Sequence, residues 1–554
     1  MTSEAGSWWR DGVLYQIYPR SFADGNGDGI GDLTGITSKL DYLQWLGIDG
    51  LWLSPTMPSP NLDWGYDVSD FCGVHPELGT MDDLDRLVRE AADRDIRILL
   101  DLVPNHTSDL HEWFIDSKRS RTSAHRDWYI WRDPKPGGSP PNNWLSVFTG
   151  PAWTFDEGTG QYHLHNFLPQ QPDLDWWNDD VRDAFDAVLR FWYERGVAGF
   201  RIDVAHGIVK DRELRDNLPA TPEDHPRVRL IGQQQNYNLN RPEVHDVLKR
   251  WRSVSDEYSP QKVLVGETLV LDLERWAAFY GSGTDELNLA FNFPFIFASL
   301  DAGEMSEVVA TTEQLLPVEA WPVWTGTNHD TRRFPTRWCN DDPARVRCAM
   351  MILLTLRGTP FLYNGDEIGM PDTHLSPDQV LDPVKIRTED GLGRDPGRTP
   401  MHWSPEPGAG FTGPDTEPWL PFGDYGACNV AGQRNDPDSM LNFTRDLIAL
   451  RRRLSELPRG SYKPLNCPEG VWAWRRGDDV TVAVNLTDLN QDIPDMDGNI
   501  AIGTDRARDG QTVTGSLVLA EWEGVIITNP AVDWVRDVDC SLHHPLSANA
   551  PARE

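Results

Sequence analysis

The sequence predicts an α/β fold: a (β/α)8 TIM barrel with an inserted subdomain after its third strand and a C-terminal antiparallel β domain. Three observations carry this expectation. Short apolar runs alternate with stretches of helical spacing as far as about residue 460, the pattern of a parallel sheet covered by helices. Three of those runs deliver carboxylates at their ends: Gly199-Phe-Arg-Ile-Asp203, Val263-Leu-Val-Gly-Glu267 and Val323-Trp-Thr-Gly-Thr-Asn-His329-Asp330. The C-terminal end of a strand is where a barrel keeps its chemistry. From Ser461 to Asn529 β-like runs dominate instead, broken by turn residues.

Size and charge narrow the class of ligand. A chain of 554 residues is too long for one ordinary core, so a large domain with attached units is expected. The 51 basic and 86 acidic residues leave a net charge of −35, which repels nucleic acid and anionic membranes and favours a neutral substrate. No run has the apolar length to cross a bilayer, and Met1-Thr-Ser-Glu-Ala-Gly-Ser has neither a basic nor an apolar leader region. A cytoplasmic protein is expected, with no membrane partner. The 6 Cys lack CxxC spacing, so neither a zinc site nor a disulfide framework is indicated. Nothing in the sequence sets an oligomeric state.

Taken in order, Val13 to Tyr18 reads as a first buried strand. Asp24-Gly-Asn26-Gly-Asp28-Gly-Ile30-Gly-Asp32 then sets oxygen-bearing residues at alternate positions with glycines between. It is like the first half of an EF-hand loop, but Gly35 stands where that loop has Glu; a Gly-Asp turn without metal is the alternative. Leu40, Leu43 and Leu46 have helical spacing, and Gly50 to Ser54 is a second strand. Thr80, with Asp82 and Asp83 behind it, starts a helix whose apolar stripe is Leu84, Leu87, Val88 and Ala91. Ile96 to Val103 reads as a third strand, apolar on both faces.

The alternation breaks between Asn105 and Trp176, a stretch rich in Trp, Pro, Gly and Asn and too long for an ordinary connection. It resumes with a helix over Val181 to Glu194 and the Asp203 strand, on which Arg201 shares a face with Asp203. The remaining strands are expected at Val263 to Glu267, Leu289 to Phe293, Val323 to Thr327 and Pro360 to Asn364. The division that follows is 1–104 and 177–460 for the barrel, 105–176 for the inserted subdomain, 461–529 for the β domain and 530–554 for a tail.

Gly199 to Val204, Gly266-Glu267 and Asn328-His329-Asp330 resemble the catalytic motifs of the α-amylase superfamily of glycoside hydrolases, family 13. Gln171-Pro-Asp-Leu-Asp175 is close to the Gln-Pro-Asp-Leu-Asn signature of its oligo-1,6-glucosidase and α-glucosidase branch. The likeness runs from about Trp8 to about Trp403. It implies a retaining, exo-acting α-glucosidase working on short gluco-oligosaccharides or sucrose, without an organic cofactor. Asp203 would be the nucleophile, Glu267 the acid and then base, and Asp330 the group that grips sugar hydroxyls. Arg201 would keep Asp203 ionised, an apolar strand would keep Glu267 protonated, and the two carboxyls would stand about 5 to 5.5 Å apart.

The resemblance further implies substrate contacts from Asp63, Tyr66, His106, Phe148, Phe167, Arg201, His329 and Arg398, the last favoured over Arg394. It also implies a structural calcium or magnesium ion held by Asp24, Asn26, Asp28, the Ile30 carbonyl and Asp32. Val204 resembles the branch that favours α-1,6 bonds, whereas Ala205-His206 and Thr331-Arg332-Arg333 depart from the branch pattern. A glucosyltransferase or sucrose isomerase on the same scaffold is one rival reading. A non-catalytic carbohydrate-binding or transporter-associated relative is another; it has no need of the three carboxylates.

Overall fold

Each of the eight apolar runs becomes a short parallel strand in the computed structural model, which describes residues 8–385, 388 and 390–529. In chain order they are β1 (Leu14–Ile17), β2 (Gly50–Leu53), β3 (Arg97–Leu102), β4 (Gly199–Ile202), β5 (Val263–Gly266), β6 (Leu289–Ala290), β7 (Val323–Thr325) and β8 (Thr359–Tyr363). Their order in the sheet is β7-β8-β1-β2-β3-β4-β5-β6. A parallel bridge between Phe291 and Val323 joins the two edges and closes the barrel. The tail expected at 530–554 lies outside the described residues.

Two expectations need correction. β3 is not apolar on both faces: Asp101 is buried on the barrel side, where Arg201 of β4 pairs with it in register. The sixth strand is two residues long rather than five, because Asn292 accepts the Phe295 N–H and caps a helix, Phe293–Phe297, with Pro294 in its first turn. The other starts and stops follow the residues. Thr80 and Asp83 form a reciprocal capping box at the head of Met81–Ala92, which buries Leu84, Leu87 and Ala91. Helix Asp179–Glu194 begins at Asn178, whose side chain accepts the Asp180 N–H.

Between β3 and β4, residues 105–176 carry a three-stranded antiparallel sheet (Trp131–Arg132, Gln161–Leu164, Trp153–Asp156) over a small core of Ile130, Trp144, Trp153 and Leu164. Buried Lys210, from the loop after β4, pins this segment: its ammonium bonds the Asn105 side chain and lies 3.0 Å from Asp173. At the C-terminal end, Val471–Arg476, Val480–Asn485 and Gly524–Thr528 are neighbours in a six-stranded antiparallel sheet with its own apolar cluster. Those strands are buried on both faces: Val471, Ala473, Ala483, Val525 and Ile527 face this cluster, and the alternating Trp472, Trp474, Val482, Val484 and Ile526 pack into the main core.

Candidate active site

The register of β4 and β5 brings the first two carboxylates together. Ile202 pairs with Gly266, so Asp203 and Glu267 leave adjacent strands at one level, with backbones about 4.8 Å apart. Fully buried Arg201 lies between them: its guanidinium is 2.7 Å from Asp203 Oδ1, 2.9 Å from Glu267 Oε2 and 2.9 Å from Asp101 Oδ1. Glu267 Oε2 also accepts the Val204 N–H at 2.9 Å, so its surroundings are polar rather than the apolar pocket its strand suggested. Val204, a β-branched residue, holds φ at 45° to deliver that N–H. Strain of this kind is concentrated where a site over-determines the backbone.

Sharing changes the charge of the pair. One cation serving three carboxylates cannot hold Asp203 ionised by itself. Burial pushes the Asp203 carboxyl well above its ordinary range; Arg201 pulls it down, while Glu267, Asp101 and Asp330 push it up. Asp101, buried and bonded by Arg201, Tyr66 and Trp52, is pushed up to about 6. Arg201 does favour the ionised form of Asp203, as expected, but it shares its charge with Asp101 and Glu267 and so is also a common tie for the cluster.

Asp330 is the opposite case. Burial alone would raise it, but His329, Arg394 and Arg398 outweigh that and hold it well below the ordinary carboxylate range. Burial also keeps His329 itself well below its ordinary pKa, hence neutral, so the two guanidiniums carry the effect. Arg394 and Arg398 reach the same oxygen, Oδ1, at 3.0 and 2.9 Å. Arg394 goes on to Asp63 at 2.8 Å and Asp382 at 2.7 Å, whereas Arg398 bonds the His329 carbonyl at 2.7 Å. Sequence favoured Arg398; the structure brings both, and Arg394 is the one that joins Asp63 to Asp330.

The aromatic and histidine residues close the pocket. The Tyr66 ring stacks on His329 at 5.3 Å with its hydroxyl 2.6 Å from Nε2, and Gln16 lies 2.7 Å from Nδ1. Both nitrogens of His329 thus have protein partners, so a sugar hydroxyl at that ring competes with Tyr66. His106, lowered to about 4 by burial, is 3.0 Å from the Tyr66 carbonyl and 3.2 Å from Gln171, which also bonds Asp63. Phe167 packs on His106 and, edge to face, on Phe148, over which Arg394 sits at 5.8 Å. Every residue expected at the sugar site joins this one connected set.

Sequence reasoning missed Asp101, Asp382 and Arg227; it noted Gln171 only as part of a signature and ranked Arg394 below Arg398. Asp101 had a signal, a carboxylate inside an otherwise apolar strand. Arg227, in the short helix Pro226–Ile231 that follows β4, feels the charges of both Asp330 and Glu267, and nothing in its local sequence marks it.

The loop from Asp24 to Asp32 fits a metal only in part. All the acceptor capacity of Asp24 is taken: Oδ1 by the N–H groups of Asn26 and Gly27, Oδ2 by Gly29 N–H and the Thr412 hydroxyl. Asp32 caps the following helix through Gly35 and also accepts from Gly25 and Asn26. Asn26 accepts the Asp28 N–H, and Asp28 accepts the Ile30 N–H on Oδ1 and the Asn26 side-chain amide on Oδ2. Among the described residues no three acidic, His or Cys side chains are arranged to hold an ion.

A closed parallel barrel whose strand ends and following loops bring Asp203, Glu267 and Asp330 together with two histidines and three arginines in one connected cluster defines an enzyme of the barrel class that handles sugars. The chain belongs to the α-amylase family: the model of the alpha amylase catalytic domain matches residues 16–460. It is 43% identical to a probable alpha-glucosidase of Rhizobium meliloti (strain 1021), over 82% of this chain and 84% of that one. It is 38% identical to an oligo-1,6-glucosidase of Heyndrickxia coagulans, over 90% and 95% of the two chains. Among solved structures it is similar to an alpha-glucosyl transfer enzyme, XgtA, with a TM-score of 0.88 at 37% identity over 94% of this chain and 99% of that one.

Proposed function

We propose that this protein is a retaining α-glucosidase that removes terminal glucose from short gluco-oligosaccharides. The observation that carries the reading is the Asp203–Arg201–Glu267 bridge facing an Asp330 clamped by two arginines. In the first step an Asp203 oxygen bonds to the anomeric carbon as the glycosidic bond breaks, and Glu267 gives its proton to the leaving oxygen. In the second, Glu267 takes a proton from water, whose oxygen displaces Asp203. Asp203 must be an anion when Glu267 is an acid. Asp63 and Asp330, tied by Arg394, hold hydroxyls of the terminal ring, and Phe148 and Phe167 wall it.

NMR of a fresh reaction on p-nitrophenyl α-glucoside or isomaltose tests this. Glucose is expected first as the α-anomer; release as β overturns double displacement. Asp203→Asn should lose activity by a factor on the order of 10⁴ or more while keeping its melting temperature. Near-normal turnover would remove Asp203 from its role.

The likeness to an alpha-glucosyl transfer enzyme favours a second reading, transfer of glucose to a sugar acceptor instead of water. The glucosyl-enzyme is common to both, so product analysis with sucrose, maltose and isomaltose separates them. We also propose a calcium or magnesium ion at the Asp24–Asp32 loop, supported by its alternating oxygens; it would exchange N–H contacts of Asp24 for metal contacts. A cytoplasmic setting is supported by the free state of all five described cysteines. No helix among the described residues is long and apolar enough to cross a membrane.

A further inference from the structure

A cavity about 290 Å³ in volume lies between the inserted segment, the head of helix Asp179–Glu194 and the loop after β4. Buried Lys210 stands between it and the active pocket, its ammonium turned to Asn105, the neighbour of His106. The site described above uses none of its walls.

Its charged lining is balanced: Asp127, Asp175 and Asp211 against Arg132, Lys210 and Arg212. On a chain of net charge −35, a neutral cavity neither attracts a cation nor demands an anion. Some of these groups are already satisfied. Lys210 is turned to Asn105 and Asp173, and Asp211 pairs with Arg215 and Arg241. Others are not. Among the described residues the side chains of Asp127 and Arg212 make no hydrogen bond or ion pair. Arg132 bonds the Trp131 carbonyl, and Asp175 accepts the Trp177 N–H.

Arg132 and Arg212 both act electrostatically on Asp175, yet neither closes to a salt bridge with it. Opposite charges that face one another across a gap leave room for a polar group between them. Arg212, though exposed, is held at the rim 5.3 Å over the Trp177 ring instead of extending into solvent. Trp177 and Leu214 add apolar surface. Asp175 stands where the Gln-Pro-Asp-Leu-Asn signature has an amide, so this chain places a carboxylate in the cavity wall.

We propose that this cavity is a second carbohydrate site, taking one uncharged hexose ring. Carboxylates and guanidiniums that are not paired to each other are the groups that bond vicinal hydroxyls two at a time, and the apolar surface of Trp177 and Leu214 suits the C–H face of a pyranose. The volume falls at the small end of ligand pockets, which run from about 300 to 1,000 Å³, and so suits a single ring better than a chain. The site is separate from the catalytic pocket and holds whichever reaction, hydrolysis or transfer, that pocket performs.

Ligand-observed saturation-transfer NMR with D-glucose tests it on the full chain. The active pocket is first filled with 1-deoxynojirimycin at the concentration that just abolishes activity. Saturation transfer to glucose is expected to persist in the wild type and to fall at least fivefold in Asp127→Ala/Arg212→Ala. Both of those positions are exposed, and the double variant should hydrolyse p-nitrophenyl α-glucoside within twofold of the wild type. Complete loss of the glucose signal on adding the imino sugar, or an undiminished signal in the double variant, overturns the proposal.

Discussion

Arg201 shows what a single residue can do when three carboxylates share it. Its contacts to Asp101, Asp203 and Glu267 distribute one positive charge, so the raised position of Asp203 is set jointly by burial and by its neighbours. The nucleophile works only as an anion. The acid limb of kcat/KM should therefore lie above the ordinary carboxylate range, with activity lost as pH falls through it. Asp101→Asn removes one negative neighbour and leaves Asp203 a larger share of the guanidinium; the limb should move down by roughly one unit. A pH–rate profile of both proteins checks this, and an unmoved limb would refute the shared-charge account. The catalytic trio was legible because each acid ends an apolar run. Arg394 was not: it lies 64 residues from Asp330, and only the folded loop shows which of two nearby arginines spans to Asp63.

At the scale of elements, what the sequence disclosed was whatever local chemistry decides. Short buried strands and the Thr80 cap follow from composition and spacing, whereas the helix expected from Val181 starts two residues earlier, at Asp179, where Asn178 caps it. β6 was overestimated because an aromatic run reads as strand until Asn292 and Pro294 turn it into a helix. The cavity beside Lys210 was invisible, since three separate segments build it. The Asp24–Asp32 loop lies between these cases: its pattern was legible, but the acceptors of Asp24 are filled by backbone N–H groups and Thr412. If an ion binds there, it ties the loop to the barrel, and 1 mM calcium should raise the melting temperature over that in EDTA at equal ionic strength. Asp28→Ala should abolish the difference by removing a ligand whose backbone contact is confined to Ile30. No calcium-dependent difference in the wild type would leave the loop as a self-bonded turn.

For the molecule as a whole, the surface carboxylates behind the charge of −35 are already ionised by pH 5, so changes in stability above that pH come from buried groups. Two sets oppose each other. Burial lowers His106, His111, His163 and His402 to about 4; each is neutral when folded and charged when unfolded below about pH 6.5, so their contribution is lost as pH falls from there. Asp366, fully buried after β8 with Oδ2 accepting the Tyr363 N–H at 2.9 Å, is pushed up to about 7 by burial. Folded Asp366 keeps a proton that the unfolded chain releases between about pH 4 and 7, so its contribution falls as pH rises through that window. Asp101, pushed up to about 6, and Asp203, raised well above its ordinary range, act with Asp366, while burial also lowers His165, His206 and His329; the histidines are the larger set, so the melting temperature should climb from pH 5 to about 6.5, where the histidine term saturates, and then level or decline. Asp366→Asn isolates the smaller term. Asn keeps an acceptor for Tyr363 and loses the proton, so the gain over wild type should grow from pH 5 to 7.5, reaching on the order of 2 to 4 kcal/mol. Thermal melts of both proteins across that range decide it: a difference that stays flat with pH means Asp366 titrates as an ordinary carboxylate despite its burial, and a difference that shrinks reverses the sign argued here.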